Sequence, residues 1–315
     1  MNSQRKATST LAAMASTTVA WAALVASGAG ALPAGAAVAP KTVAAVGAEN
    51  QYANVISQVG GRYVNVEAII NNPNTDPHEF EANASVVALV SRAQLVVQNG
   101  MGYDTFMNKI EGANRRPGRL VVVAQDLLGM KATAFNPHLW YDPKTMPLVA
   151  QAIAADLSKL QPAHASYFRA NEKHFVASLR PWLAELAHFK SKYKGTPVAV
   201  TEPVADYMLQ AAGADIKTPK SLQSAVMNGT DPSPQDVSTE DTLIRRHQVK
   251  AFLYNRQVTD TLTASFLAAA KRAHVPVVAL YETMPVPGYN YQSWMQAETE
   301  ALQRAVATGK STDRL

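Results

Sequence analysis

The sequence of 315 residues contains no cysteine. No disulfide can form and no lipid can be attached at an N-terminal cysteine, so the stability of the chain must come from its hydrophobic core. Charged residues make up only 17% of the chain and hydrophobic residues 47%, a balance that excludes a disordered protein. The length allows one large domain or two of ordinary size.

The sequence also lacks the features of nucleic-acid and dinucleotide binding. The formal net charge is only +5, and two of the basic residues, Arg5 and Lys6, lie in the N-terminal segment. No basic run with interleaved aromatic residues occurs, so we expect no nucleic-acid partner. Gly100-Met101-Gly102 begins like a nucleotide loop, but no third glycine follows at the required spacing.

The N-terminal segment has the pattern of an export signal. A basic start is followed by an alanine-rich apolar run, Leu11–Leu32, and by the small residues Ala34-Gly35-Ala36. The alternative is a retained membrane anchor, for which the run is only weakly apolar because it contains Ser16, Thr17, Thr18 and Gly28. We expect residues 1–36 to be a signal peptide and the mature protein to be periplasmic. No other apolar run approaches about 20 residues, so no further span is expected.

From Lys41 onward, short β-branched runs alternate with helical patterns, which is typical of βαβ units and parallel sheets with covered faces. Strands are predicted at Thr42–Val46, Tyr63–Ile69, Gln94–Gln98, Leu120–Ala124, Pro197–Val200, Asp215–Lys217, Val249–Tyr254 and Val275–Leu280. The fold class is therefore α/β, with two lobes that each contain a four-stranded parallel sheet flanked by helices.

One helical pattern is too long for a small domain. Ala163–Tyr193 is interrupted only mildly by Pro181, and at 1.5 Å per residue it would extend about 45 Å. We interpret it as a single rigid helix that joins the lobes. The expected organisation is an N-terminal lobe at 37–162, a connecting helix at 163–194 and a C-terminal lobe at 195–315.

Two Pro-His pairs stand out, in Asp76-Pro77-His78-Glu79 and Asn136-Pro137-His138. Proline fixes φ and removes a donor, so each histidine lies in a stiff loop, which is a suitable mount for a metal ligand. Taken alone, either histidine also fits a capping or packing role. Asp76, Glu79 and Asp142 flank these loops, either as partners that orient the imidazoles or as turn caps.

The positions of four residues at strand ends favour a metal site. Ligands of parallel sheets bind beyond the carboxyl ends of the strands. His78 and His138 follow the second and fourth predicted strands, Glu202 follows Pro197–Val200, and Glu282 follows Val275–Leu280. Two imidazoles and two carboxylates suit Zn²⁺, Mn²⁺ or Fe²⁺. The alternative for the glutamates is a helix cap or an ion pair.

The remaining histidines lie in helical patterns rich in Lys and Arg and are expected at the surface: His164, His174, His188, His247 and His274.

These motifs resemble the zinc/manganese-type substrate-binding proteins of ABC importers. The resemblance rests on Asp76–Glu79 with Gly60-Gly61 before it and Ala93–Gly100 after it, on Asn136–Trp140, and on Asp231–Pro234. It implies a two-lobed receptor with one buried divalent metal ion between the lobes. The ligand positions of the family correspond to His78, His138, Glu202 and Glu282. Glutamate at the third position matches the manganese-type variant, whereas the fourth departs from the usual aspartate. The histidine-rich loop of many zinc members is missing, since 111–134 contains no histidine.

The resemblance implies a non-enzymatic, monomeric receptor that captures Mn²⁺, Zn²⁺ or Fe²⁺ outside the cytoplasm. Its partners would be an ABC permease and the associated ATPase, and no small-molecule substrate is expected. Two other functions remain open at this stage. A metallohydrolase could use the same His/Glu cluster, although the sequence has no His-Glu-x-x-His motif. An adhesin-like surface protein is the other, without support from a cell-wall anchor or repeats.

Overall fold

A computed structural model describes residues 42–315 and contains two four-stranded parallel sheets. The predicted signal peptide, 1–36, lies outside the described residues. The first sheet consists of β1 (Val43–Glu49), β2 (Val64–Ile70), β3 (Leu95–Gln98) and β4 (Leu120–Val123). The second consists of β5 (Pro197–Val200), β6 (Asp215–Ile216), β7 (Ala251–Asn255) and β8 (Val277–Leu280).

The two sheets have equivalent topologies. Their strand orders are β2-β1-β3-β4 and β6-β5-β7-β8, and every neighbouring pair is parallel. The central strands are buried along most of their length because helices cover both faces, and this explains why they are almost continuously apolar in sequence. The carboxyl ends of all strands in a sheet meet at one edge, where the candidate ligands lie. The predicted fold class is confirmed.

Five helices surround the first sheet and five the second. The first lobe contains α1 (Asn50–Gly60), α2 (Ala84–Arg92), α3 (Thr105–Ala113), α4 (Ala124–Leu127) and α5 (Thr145–Leu160). The second lobe contains α8 (Asp206–Ala211), α9 (Lys220–Met227), α10 (Pro234–Arg245), α11 (Thr261–Arg272) and α12 (Tyr291–Thr308). Helix α9 does not follow from the sequence pattern, because its buried apolar residues form only a single pair at helical spacing, Leu222 and Val226.

The helix between the lobes is bent. It consists of α6 (Ala165–Ser178) and α7 (Arg180–Tyr193), which meet at Leu179. Pro181 lacks an N–H, so one carbonyl of the preceding turn loses its helical partner and the axis changes direction there. The single rigid helix expected from the sequence is therefore a long bent helix. Its first half packs on α1 and α5, and its second half on α8 and α12, so it contacts both lobes.

One large hydrophobic core extends from the first sheet through the bent helix to the second sheet. Phe168, Leu179 and Trp182 of the bent helix are fully buried in it. A smaller core lies between the first sheet and helices α2 and α3. Within residues 42–315, none of the helices combines the length and the apolar character that a membrane span requires.

Candidate metal centre

The first histidine is mounted on a short turn after β2. The Asp76 carboxylate accepts a hydrogen bond from the backbone N–H of His78 at 2.8 Å, and Pro77 begins a 3₁₀ turn that includes His78. Asp76 thus caps the turn, which was one of the two roles open for it. The side chain of His78 remains 22% exposed, whereas those of His138 and Glu282 are fully buried.

The second histidine is oriented by Asn136. The Asn136 side-chain nitrogen donates to the Pro203 carbonyl at 2.7 Å, so its Oδ1 faces His138. This oxygen accepts from the backbone N–H of His138 at 2.9 Å and lies 2.7 Å from Nδ1 of the imidazole. Because Oδ1 can only accept, Nδ1 carries the hydrogen in the neutral ring, and Nε2 is left with a free lone pair.

Glu282 joins the two histidines at the end of β8. Its Oε2 lies 3.2 Å from Nε2 of His78 and 3.1 Å from Nε2 of His138. The Tyr103 hydroxyl donates to the same oxygen at 2.9 Å, and the Asn255 side chain donates to Oε1 at 2.5 Å. Within the described residues, His78, His138 and Glu282 form the one group of at least three potential ligands whose atoms lie within 4.8 Å of one another.

Glu202 lies outside that group but shares its electrostatic environment. It follows β5, is only 1% exposed, and neither of its carboxylate oxygens has a hydrogen-bond partner. Burial, together with the nearby charge of Glu282, raises the pKa of Glu202 well above its usual range. Proton binding by Glu202 is therefore favoured as long as Glu282 beside it carries its charge.

The ionisation of the other three groups is set by their contacts. Burial alone would raise the pKa of Glu282, but the imidazoles of His78 and His138 outweigh it and lower this pKa. Burial alone would lower the pKa of His78, but the Glu282 carboxylate outweighs burial and raises it. For His138, complete burial prevails over Glu282, and the pKa is lowered.

One contact in this cluster needs a proton or a metal ion between its two atoms. In neutral His138, Nε2 is an acceptor, and it lies 3.1 Å from Glu282 Oε2, which is also an acceptor. Two acceptors at this distance repel each other unless a proton or a metal ion lies between them. The same oxygen faces Nε2 of His78 at 3.2 Å. The cluster therefore brings two imidazole nitrogens and a carboxylate oxygen close to one point.

Aromatic side chains separate the cluster from water on the first-lobe side. The Tyr103 ring lies 5.0 Å from both His78 and Trp140, and the Trp140 ring lies 5.4 Å from His138, all in edge-to-face geometry. A cavity of about 470 Å³ opens beside His78 and is lined partly by Phe80 and Phe106. Solvent thus approaches the cluster from the side of His78.

Three residues of the centre were missed by sequence reasoning: Tyr103, Asn136 and Asn255. Asn255 ends β7, so the strand-end rule, had it been applied to every strand, would have identified it. The flanking acid Asp142 accepts a hydrogen bond from the backbone N–H of Lys144 and caps a turn. None of the five other histidines is buried, as predicted from their positions.

Comparisons with known proteins agree with this architecture. A family model described as zinc-uptake complex component A, periplasmic, matches residues 46–305. The manganese-binding lipoprotein MntA of Bacillus subtilis is 24% identical over 241 residues, which cover 73% of this chain and 76% of MntA.

Solved structures share the fold. The periplasmic zinc-binding protein TroA of Treponema pallidum superposes with a TM-score of 0.71 at 19% identity, covering 86% of this chain and 99% of TroA. The Mn²⁺ complex of FpvC from Pseudomonas aeruginosa gives a TM-score of 0.68 at 21% identity, covering 85% and 98% of the two chains. Because the family model spans most of the sequence, the chain belongs to the family of periplasmic zinc-uptake complex component A proteins.

Proposed function

We propose that this protein binds one divalent transition-metal ion between its lobes and delivers it to an ABC permease. The ligands in this proposal are His78, His138, Glu202 and Glu282. The contact that carries it is the approach of His138 Nε2 and Glu282 Oε2 to 3.1 Å, which a metal ion or a proton between the two atoms would stabilise. Ligand atoms this close together can both bond one ion at about 2.0–2.2 Å.

The donor set supports a first-row transition metal as cargo. Two imidazole nitrogens and carboxylate oxygens suit Zn²⁺, Mn²⁺ and Fe²⁺, whereas no thiolate is present in the sequence. Glu202 has no other partner for either oxygen, so it is available to the ion without breaking a hydrogen bond. MntA is named a manganese-binding protein and TroA a zinc-binding one, which is consistent with a site of this type.

The protein acts in this proposal as a carrier and not as an enzyme. His78, His138, Glu202 and Glu282 all serve as ligands in this proposal, which leaves none of the four free as the base that a metallohydrolase needs. The family consists of binding proteins, and relatives such as MntA are lipoproteins. We therefore infer an extracytoplasmic location, with a permease and its ATPase as partners. Hydrolysis of a generic ester by the metal-loaded protein, lost in His138→Ala, would contradict this.

Competitive binding of Zn²⁺, Mn²⁺ and Fe²⁺ to the metal-free protein tests the proposal. We expect one ion per chain, and we expect Glu202→Gln to weaken binding at least tenfold. Glu240→Gln is the matched control, because Glu240 is also a fully buried carboxyl of the second lobe but bonds Thr218 away from the centre. Equal affinities of Glu202→Gln and Glu240→Gln would remove Glu202 from the ligand set. No tight binding by the wild type would refute the function.

A further inference from the structure

The segment that carries His78 is the part of the centre nearest to solvent. The side chain of His78 is 22% exposed, whereas Glu202 is 1% exposed and His138 and Glu282 are fully buried. An ion that enters or leaves without disrupting the lobes must therefore pass this side chain. We call residues 71–83, which carry His78, the His78 loop.

The His78 loop is held mainly by bonds within itself. Asn72 bonds the Thr75 hydroxyl and Asp76 caps the turn of His78. The loop contains no strand and only one 3₁₀ turn. Within residues 42–315, two polar contacts join this loop to the second lobe. One is the contact of His78 with Glu282, and the other is a hydrogen bond from Gln257 to the Thr75 carbonyl at 2.7 Å.

Gln257 also holds the backbone that carries Glu282. Its Oε1 accepts from the backbone N–H groups of Glu282 at 2.7 Å and of Thr283 at 2.8 Å. Its Nε2 donates to Thr75 and, at 3.1 Å, to the Thr283 hydroxyl. All four hydrogen-bonding positions of this amide are thus used, in a side chain that is only 6% exposed. The Gln257 amide therefore joins the segment that carries His78 to the segment that carries Glu282.

We infer that Gln257 is a positioning residue that holds the His78 loop over the metal and so sets how long the ion stays bound. The inference rests on the proposed function. The hydrogen bond from Gln257 holds the His78 loop in place before the metal ion binds. Because binding then does not have to order the loop, a larger fraction of the metal-free protein is in the conformation that binds the ion. When the loop has to open before release, the bond to Thr75 must break first, which slows dissociation.

The test measures release of Zn²⁺ into an excess of chromogenic chelator by stopped flow. Gln257→Met removes the amide and keeps an unbranched side chain of similar length. Gln58→Met is the matched control, because Gln58 exchanges two hydrogen bonds with Gln292 across the lobes but lies outside the His78 loop. We expect release at least tenfold faster in Gln257→Met and within twofold of wild type in Gln58→Met. A tenfold change corresponds to about 1.4 kcal/mol, the worth of about one hydrogen bond.

Hydrogen exchange of the metal-free proteins provides a second readout, which reports on the opening of the His78 loop itself. Amides of residues 71–83 should exchange faster in Gln257→Met and unchanged in Gln58→Met. Unchanged release and unchanged exchange in Gln257→Met would overturn the inference. If Gln257→Met does not fold, Gln257→Glu takes its place, since a carboxylate keeps both acceptor bonds and loses the donor to Thr75. Failure of the wild type to bind Zn²⁺ would refute the proposed function, while exchange of the loop would still report on Gln257.

Discussion

A carboxyl behind the metal centre makes the stability of the fold depend on pH. Glu298 of α12 is fully buried and lies 2.5 Å from the Tyr141 hydroxyl through its Oε2. Its Oε1 accepts from Trp294 Nε1 at 2.8 Å and from the backbone N–H of Tyr281 at 3.2 Å. Tyr141 and Tyr281 belong to the segments of His138 and Glu282, so this carboxyl links the two.

The hydrogen bonds require Glu298 to be protonated. The Tyr141 hydroxyl also lies 2.7 Å from the Tyr281 carbonyl, which can only accept. Its single hydrogen serves that carbonyl, so the short contact with Glu298 needs a hydrogen from the carboxyl. Burial, opposed only in part by the hydrogen bonds that the carboxyl accepts, raises the pKa of Glu298 from 4.5 to about 8.

The sign of the pH dependence follows from that shift. Between pH 4.5 and 8 the carboxyl ionises in the unfolded chain and stays protonated in the folded one, so stability is lost as pH rises through this window. From pH 5 to pH 7 the loss due to Glu298 is about 2.5 kcal/mol. Glu298→Gln keeps a donor toward Tyr141 and an acceptor toward Trp294, and glutamine does not ionise.

Urea unfolding of the metal-free protein at pH 5, 6, 7 and 8 measures this effect. We expect the stability of Glu298→Gln relative to wild type to rise by about 2.5 kcal/mol between pH 5 and pH 7. Glu300→Gln, on the same helix at a half-buried position, controls for removal of a carboxyl. A constant difference between Glu298→Gln and wild type at every pH would refute the reasoning.

Three further predictions concern the centre and the frame around it. Asn136→Ala frees the His138 ring and should weaken metal binding 10–100-fold in a competition assay, and unchanged affinity would contradict the proposed role. Trp182→Ala removes a fully buried ring and its hydrogen bond to Thr299. This substitution should lower the free energy of unfolding, measured by urea denaturation, by about 3–5 kcal/mol. A loss below about 1 kcal/mol would contradict the packing argument. Asp260→Ala removes the capping box of α11 and should cost about 1 kcal/mol by the same measurement, whereas no change would show that the cap contributes nothing.

The sequence predicts much of the fold because its local signals agree with the tertiary structure. The strand Pro197–Val200 has the predicted bounds, and the other predicted strands differ by one to three residues at their ends. The strand-end rule placed His78, His138 and Glu282 together, and the structure brings their ligand atoms within 4.8 Å. The role of Glu202 stays a prediction.

The other features of the fold and of the site depend on contacts between segments that are distant in sequence, and no local sequence pattern encodes such contacts. Asn136 reaches the Pro203 carbonyl, 67 residues away, and Tyr103 reaches Glu282, 179 residues away. The bend at Leu179 depends on how the two halves of the helix pack on different lobes, in addition to Pro181. Gln257 likewise joins the His78 loop to the segment after β8 by hydrogen bonds that form only when the folded chain brings these segments together.

The central claim is that one metal ion is bound jointly by groups of both lobes. Anomalous X-ray diffraction from crystals of the Zn²⁺-loaded protein tests it most directly. The account predicts a single strong peak at about 2.0–2.2 Å from Nε2 of His78 and His138 and from carboxylate oxygens of Glu202 and Glu282. A peak bonded only to surface histidines, or no peak near the Nε2 atoms of His78 and His138, would contradict it.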